Sequence, residues 1–237
     1  MSRVFSNRSE AGKLLAKKLT VYAKHPDVLV LGLPRGGVPV AFEVATALKL
    51  PLDICLVRKL GVPGHSELAM GALASGGVIV LNEKVIQKVG ISQEAINKVA
   101  EKENQELLRR ERTYRGRYPL PNLGNRMIIL VDDGIATGST LQAAISTLRR
   151  QRPKKIVVAV PVAPPLTYDQ LKKEVDEVVC LITPEPLYAI GLWYKDFSQT
   201  TDQEVSNLLA QANSHDQSRS INSPSKESGE RGFPVIS

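Results

Sequence analysis

Apolar residues fall along this chain in two alternating rhythms, and the alternation predicts the architecture. Short, nearly unbroken apolar runs at 28–31, 52–57, 127–131, 155–160 and 176–182 read as strands buried on both faces. Between them, apolar residues recur at helical spacing. Over 8–23 they are Ala11, Leu14, Leu15, Leu19 and Tyr22, and further helices are predicted at 40–48, 165–174 and 201–212. Asn82 and Ser92 are N-cap residues for a short helix (83–88) and a longer one running to about Arg112, with Ile96, Val99 and Leu107 on its buried stripe. Residues 67–81 predict two short strands around Ser75-Gly76-Gly77. Alternating strands and helices predict an α/β fold with a central, mainly parallel sheet and helices on both faces. From Asn213 onward the chain is polar and Ser-rich, so a single domain over 1–212 and a disordered tail over 213–237 are expected.

The stretch 127–148, MIILVDDGIATGSTLQAAISTL, carries the most chemistry. A buried strand ends in Asp132 and Asp133. A loop of small residues follows, and then Leu141, Ala144, Ile145 and Leu148 mark a helix, with Ser139 or Thr140 as its expected N-cap. Such a loop suits phosphate, because unhindered amides and the helix dipole both favour an anion. Two adjacent carboxylates would repel a bare phosphate. A sugar phosphate resolves the conflict, with the loop on the phosphate and the acids on vicinal hydroxyls. The loop lacks the G-K-[ST] ending of a Walker sequence, and G-x-G-x-x-G is absent.

LVDDGIATGST (130–140) resembles the motif by which type I phosphoribosyltransferases bind 5-phosphoribosyl 1-pyrophosphate (PRPP). The resemblance implies that Asp132 and Asp133 hold the ribose, and that Ile135, Ala136, Thr137, Gly138, Ser139 and Thr140 wrap the 5′-phosphate. An earlier strand–loop–helix unit contains Leu33-Pro34-Arg35-Gly36-Gly37, similar to the family's pyrophosphate loop, so Arg35, Gly36 and Gly37 are implied at the diphosphate. The family often holds a non-proline cis peptide there; the corresponding bond is Pro34–Arg35, expected cis with pyrophosphate or sulfate bound and free to relax to trans without that anion. Arg58 and Lys59, before the glycine-containing stretch 61–67, match the basic residues ahead of the family's mobile flap. Arg35, Arg58 and Lys59 are therefore the expected catalytic groups, assisting departure of the diphosphate.

The family places a base-binding hood beside the segment matching 184–197. Tyr188, Trp193 and Asp196 are candidate base-binding residues there, although Asp196 lies one place later than the acid of the purine-salvage branch. An ordinary aromatic core reads equally well. The expected hood combines the N-terminal helix (1–24) with 184–212. The 6-oxopurine enzymes carry an Asp where this chain has Ala136, so the loop lacks a strong general base. His65, Glu67 and Asp196 are the remaining acid–base candidates. The resemblance implies Mg²⁺ carried by PRPP, with no direct protein ligand, and a nitrogenous base or amine as acceptor.

Composition adds bounds. The 237 residues are 43% hydrophobic, enough for a full core, and the net charge of +7 suits a polyanionic substrate and nucleic acid alike. A regulator binding RNA or DNA through a basic face, and a PRPP sensor without catalysis, are the rival readings. Retention of Arg35-Gly36-Gly37 and Arg58-Lys59 favours an enzyme, since both address the leaving group. The cluster Arg109, Arg110, Arg112, Arg115 and Arg117 reads as a helix end whose charge complements the dipole, or as an anion-binding surface. Cys55 and Cys180 sit in apolar runs and read as reduced core residues. No membrane-length apolar run or signal-peptide core is present, so a cytoplasmic protein is expected, and with it a homodimer.

Overall fold

The computed structural model describes residues 4–116 and 118–221. Arg117 of the basic cluster and 222–237 of the expected tail lie outside the described residues, as do the side chains of 66, 67 and 215–221.

In chain order the elements are α1 (Arg8–Lys18), β1 (Val28–Gly32), α2 (Gly37–Leu48), β2 (Leu52–Ile54), β3 (Val57–Val62), β4 (His65–Ala74), β5 (Val78–Leu81), α3 (Glu83–Val89) and α4 (Gln93–Arg115). After these come β6 (Met127–Val131), α5 (Ser139–Arg150), β7 (Lys155–Val162), α6 (Pro165–Glu174), β8 (Glu177–Ile182) and α7 (Asp202–Ile221). Five strands form a parallel sheet in the order β2-β1-β6-β7-β8, and β3, β4 and β5 form a separate antiparallel sheet. The parallel sheet with flanking helices is what the alternation predicts, and it is the type I phosphoribosyltransferase fold that the resemblance implies.

Side chains of successive strand residues point to opposite faces, so each apolar run feeds two cores. Val28, Val30, Ile129, Val131, Val157 and Ala159 pack on one face with α1, α2, α4 and α7. Leu29, Leu31, Ile128, Leu130, Ile156, Val158 and Val160 pack on the other with α5 and α6. The sheet order reverses direction between β1 and β6: the chain moves one way from β1 to β2 and the other way from β6 to β8. In open α/β sheets that switch point opens a crevice at the carboxyl ends of the strands.

Two expectations need correction. The run 52–57 is two strands, because the chain leaves the main sheet after Ile54 and starts the antiparallel sheet at Val57. The Ile54 carbonyl, instead of continuing a ladder, accepts Arg115 Nη2 at 2.8 Å. The last helix does not stop at 212 but runs to Ile221, so 213–221 are helical. Val205 and Leu209 anchor α7 in the larger core.

The arginine cluster is dispersed. Arg109 and Arg110 both turn to Glu106, and these two guanidiniums hold its carboxyl down at about 2. Arg115 is buried, 3.0 Å from Asp53 Oδ1 and 3.3 Å from Ser75 Oγ, so it ties the end of α4 to the end of β2. Burial pushes the Asp53 carboxyl up and Arg115 opposes it. Replacing Arg115 by Ala leaves that carboxylate buried without its cation. We expect Arg115→Ala to cost about 3–5 kcal/mol in urea denaturation. An unchanged midpoint would show that the tie is dispensable.

Candidate functional site

β1 and β6 pair in parallel from Val28↔Met127 to Gly32↔Val131, so the loops that follow them leave the sheet side by side. Leu33 N–H donates to Val131 O at 2.9 Å, which carries the adjacency past the strand ends. A Cβ on Gly36 would lie 2.7 Å from Asp133 Cγ. One on Gly37 would lie 2.7 Å from Val131 O and 3.0 Å from Asp132 Oδ1. Gly36 has an ordinary helical φ of −63°, so close approach, not backbone conformation, requires glycine there. The two motifs, separated by almost a hundred residues, thus form one crevice. The Pro34–Arg35 peptide is cis.

The loop after β6 is held from below. Ile135 N–H donates to Val162 O at 2.8 Å and its side chain is buried, so Ile135 anchors the loop from beneath. Thr167 Oγ1 donates to Ala136 O at 3.1 Å. Gly134 sits under Ile190, where a Cβ would come within 2.5 Å of that side chain. Gly138, at φ 75°, is the N-cap of α5, so the expected Ser139 or Thr140 cap is displaced to the first helical turn. No side chain caps this helix, and its first residues line a cleft of about 260 Å³ bounded by Asp132 to Leu141 and Ile190. An uncapped helix start beside hydroxyls of Thr137, Ser139 and Thr140 is suited to an oxyanion.

Asp132 and Asp133 lie at the other end of this cleft. Burial and the neighbouring Asp133 push Asp132 well above the usual carboxylate range. Burial raises Asp133 too, while Arg8 pulls it down. Arg8 Nε and Nη2 both donate to Asp133 Oδ2 at 2.8 Å. Tyr194 donates its hydroxyl to Asp133 O at 2.6 Å, and burial raises that phenol.

The hood draws on both ends of the described chain. Phe5 N–H donates to Trp193 O, Lys195 N–H to Phe5 O and Asp196 N–H to Ser6 O, while the rings of Phe5, Tyr194 and Phe197 stack in sequence. Within it, Tyr188 is 84% exposed and does not line the cleft. Trp193 packs against the Phe5–Tyr194 cluster, and Asp196 accepts the Ser198 amide at 2.9 Å, which lowers its pKa. The base-binding trio is therefore not gathered at the cleft, and Ile190 is the hood residue that reaches it.

On the other loop, Arg35 Nη1 lies 3.7 Å from Asp202 Oδ1, which also accepts the Tyr114 hydroxyl at 2.7 Å. Gly37 N–H is donated to Leu33 O, so that amide, expected at an anion, is committed within the turn. Arg58 and Lys59 alternate across β3. Arg58 turns to Glu103 on α4, at 2.7 Å from Nε and 2.6 Å from Nη2. Lys59 instead lines a cavity of about 490 Å³ between the antiparallel sheet and α5, together with Ser139. The expected flap is the β3–β4 hairpin, with His65 exposed at its turn, and the Glu67 side chain lies outside the described residues. Cys55 and Cys180 are unpaired thiols, pushed by burial to about 12 and about 11.

Sequence reasoning missed Arg8, Tyr194, Ile190 and Asp202. One signal was available for Arg8, since a cation at the first residue of a helix opposes the dipole and needs another reason to be there.

A fold and crevice of this kind define a phosphoribosyltransferase-type protein, and comparison with known proteins agrees. The model of the phosphoribosyl transferase domain family matches residues 7–192, and the chain belongs to that family. A Mycobacterium tuberculosis H37Rv protein provisionally named a phosphoribosyl transferase is 46% identical over 211 residues, as is its counterpart in strain CDC 1551. The match covers 89% of this chain but 47% of the relative, so the chain spans about half the length of these curated proteins. The crystal structure of TT1426 from Thermus thermophilus is 40% identical, with a TM-score of 0.81, covering 89% of this chain and 99% of that one. Among the described residues no helix is long and apolar enough to cross a membrane, and no group of three or more His, Cys, Asp or Glu could hold a metal ion.

The Gly36 contact yields a direct test. Gly36→Ala should push the Asp133 carboxylate off Arg8 and cost about 1–3 kcal/mol in thermal denaturation, the range for overpacking a filled site. A variant crystal structure with the Arg8–Asp133 pair intact, together with an unshifted melt, would contradict the assigned packing.

Proposed function

We propose that this protein transfers the 5-phosphoribosyl group of PRPP to a nitrogen nucleophile with release of diphosphate. One observation carries the reading: the uncapped start of α5 and the Asp132–Asp133 pair share a cleft whose adjoining loop presents Arg35. A phosphate, a pair of vicinal hydroxyls and a diphosphate match these features in the order in which PRPP carries them.

In the reaction the bond from ribose C1 to the diphosphate oxygen breaks and a bond from C1 to the acceptor nitrogen forms. The electron pair leaves with diphosphate, and the acceptor loses its proton. The protein's part is to hold both partners and to stabilise charge on the leaving group. Asp132 and Asp133 accept the ribose hydroxyls, and residues 136–140 hold the 5′-phosphate. Arg35 and the Gly36 amide receive the diphosphate. Lys59, facing the start of α5, adds a cation from the hairpin, whereas Arg58 braces the hairpin on Glu103. Mg²⁺ would be carried by substrate oxygens, in keeping with its preference for few protein ligands and several waters. Bound there, it would neutralise diphosphate charge. Ala136 supplies no base, so an acceptor that loses its proton readily to water suits the site best. The acceptor is a nitrogenous base or amine entering beside Ile190.

The decisive experiment offers PRPP and MgCl2 with a panel of purines, pyrimidines and small amines, and measures released pyrophosphate. Acceptor-dependent release is the expected result. PRPP binding without release by any acceptor would instead support a sensor. Asp132→Asn combined with Asp133→Asn should weaken PRPP binding more than tenfold in calorimetry, since charge-assisted hydrogen bonds of about 1.5–3 kcal/mol are lost. Unchanged affinity in the folded double variant would remove the ribose assignment.

A further inference from the structure

We infer that Arg8 is the counter-ion that keeps Asp133 of the ribose-reading pair charged, and is thereby a positioning residue for PRPP. The inference rests on the reading of Asp132 and Asp133 as ribose ligands.

Three contacts fix the guanidinium. Nε and Nη2 donate to Asp133 Oδ2, both at 2.8 Å, and Nη1 donates to Ser198 O at 2.7 Å. The plane lies over Phe197, 4.0 Å from the ring centroid. With side-chain exposures of 12% for Arg8 and 14% for Asp133, the pair is shielded from water, where an ion pair is worth more than at the surface. A lysine could supply the charge but not the fork or the ring stacking. Nothing local favours a cation here, because Arg8 is the first residue of α1. Its partner lies 125 residues away, so the contact belongs to the site and not to the helix.

The dyad explains the need. Two adjacent buried carboxyls disfavour double ionisation and tend to share a proton. A protonated carboxyl is a poorer acceptor for ribose hydroxyls than a carboxylate. The ionisable groups facing Asp133 are Asp132 on the same loop, Arg8 from α1 and Tyr194 from the hood, while the loop before α2 meets it with Gly36. Arg8 is the cation among them. Burial is the largest influence on Asp133 and raises it, and the charge and hydrogen bonds of Arg8 are the strongest opposition, so without Arg8 the Asp133 pKa rises. Carboxylate, and with it PRPP affinity, is then lost at low pH and regained as pH rises through the new value.

The test compares wild type with Arg8→Ala and Arg8→Lys, checked for folding by circular dichroism and thermal melts. Calorimetry with PRPP and MgCl2 is run at about pH 6 and about pH 9, on either side of a raised carboxyl. Arg8→Ala should bind PRPP at least tenfold more weakly than wild type at the lower pH and approach it at the higher, with Arg8→Lys between the two. Equal affinity of folded Arg8→Ala and wild type at both pH values overturns the inference, and so does a loss that pH leaves unchanged. If Arg8→Ala does not fold, Arg8→Lys carries the same criteria. A wild type that binds no PRPP sinks the ribose reading itself. The role of Arg8 is then decided by ¹³C-carboxyl NMR, with the Asp133 resonance assigned through Asp133→Asn. An upward-shifted Asp133 titration in the Arg8 variant upholds it, and an unshifted one refutes it.

Discussion

The parallel pairing of β1 with β6 is the constraint on which the rest depends. It runs without a register shift to Gly32↔Val131, and Leu33 N–H extends it by one more bond to Val131 O. Two loops from distant parts of the sequence are thereby forced to within van der Waals distance. Such proximity is tolerable only if one loop is almost bare of side chains. Gly36 and Gly37 meet that demand: a methyl group on either would press on Asp133, Asp132 or the Val131 carbonyl. The glycines therefore let an anion-binding loop and a pair of anionic side chains share one wall. The apolar faces of β1 and β6, packed into two cores, keep the pairing rigid.

Features encoded locally were legible in the sequence. The run 127–131, the carboxylates at its end, the small-residue loop and the helix after it are consecutive, so periodicity and residue chemistry locate them with little error. The caps at Asn82 and Ser92 likewise depend on residues three positions apart, and both form. Legibility fails where a residue's partner is remote. The sequence of Arg58 shows a cation at a strand end, but not that Glu103, 45 residues on, receives it. The basic cluster near Arg115 resembles a helix terminus until Asp53 and the Ile54 carbonyl take the guanidinium inward. Aromatic crowding at 188–197 signals a cluster, yet which ring is buried depends on the strand segment at Phe5, near the other end of the chain. Tyr194 is consequently the residue that touches the dyad loop, while Tyr188 faces outward.

The crevice holds two charged side chains of opposite sign, the groups proposed for ribose and diphosphate, and each has a partner: Asp133 is paired with Arg8 from α1, and Arg35 with Asp202 at the start of α7. The pairs differ in character. Arg8 and Asp133 are about nine-tenths buried and joined by two bonds of 2.8 Å, so separating them would strand a charge in low dielectric. Arg35 and Asp202 are each 37% exposed and 3.7 Å apart, the regime in which a surface pair is worth at most about 1 kcal/mol.

That contrast assigns different behaviours to the two halves of the crevice. Under the proposed reading, a ribose meets the acids as the buried pair presents them, which favours a ligand that brings hydroxyl donors and asks for no new counter-ion. The diphosphate of that reading would take Arg35 from Asp202 at small cost, because water already solvates that pair and the displaced carboxylate keeps the Tyr114 hydroxyl at 2.7 Å. On the same proposed reading, recognition of the sugar is thus fixed and recognition of the leaving group is exchangeable. Such an order suits a transfer reaction, in which the sugar stays bound while the diphosphate it arrives with takes up charge and departs.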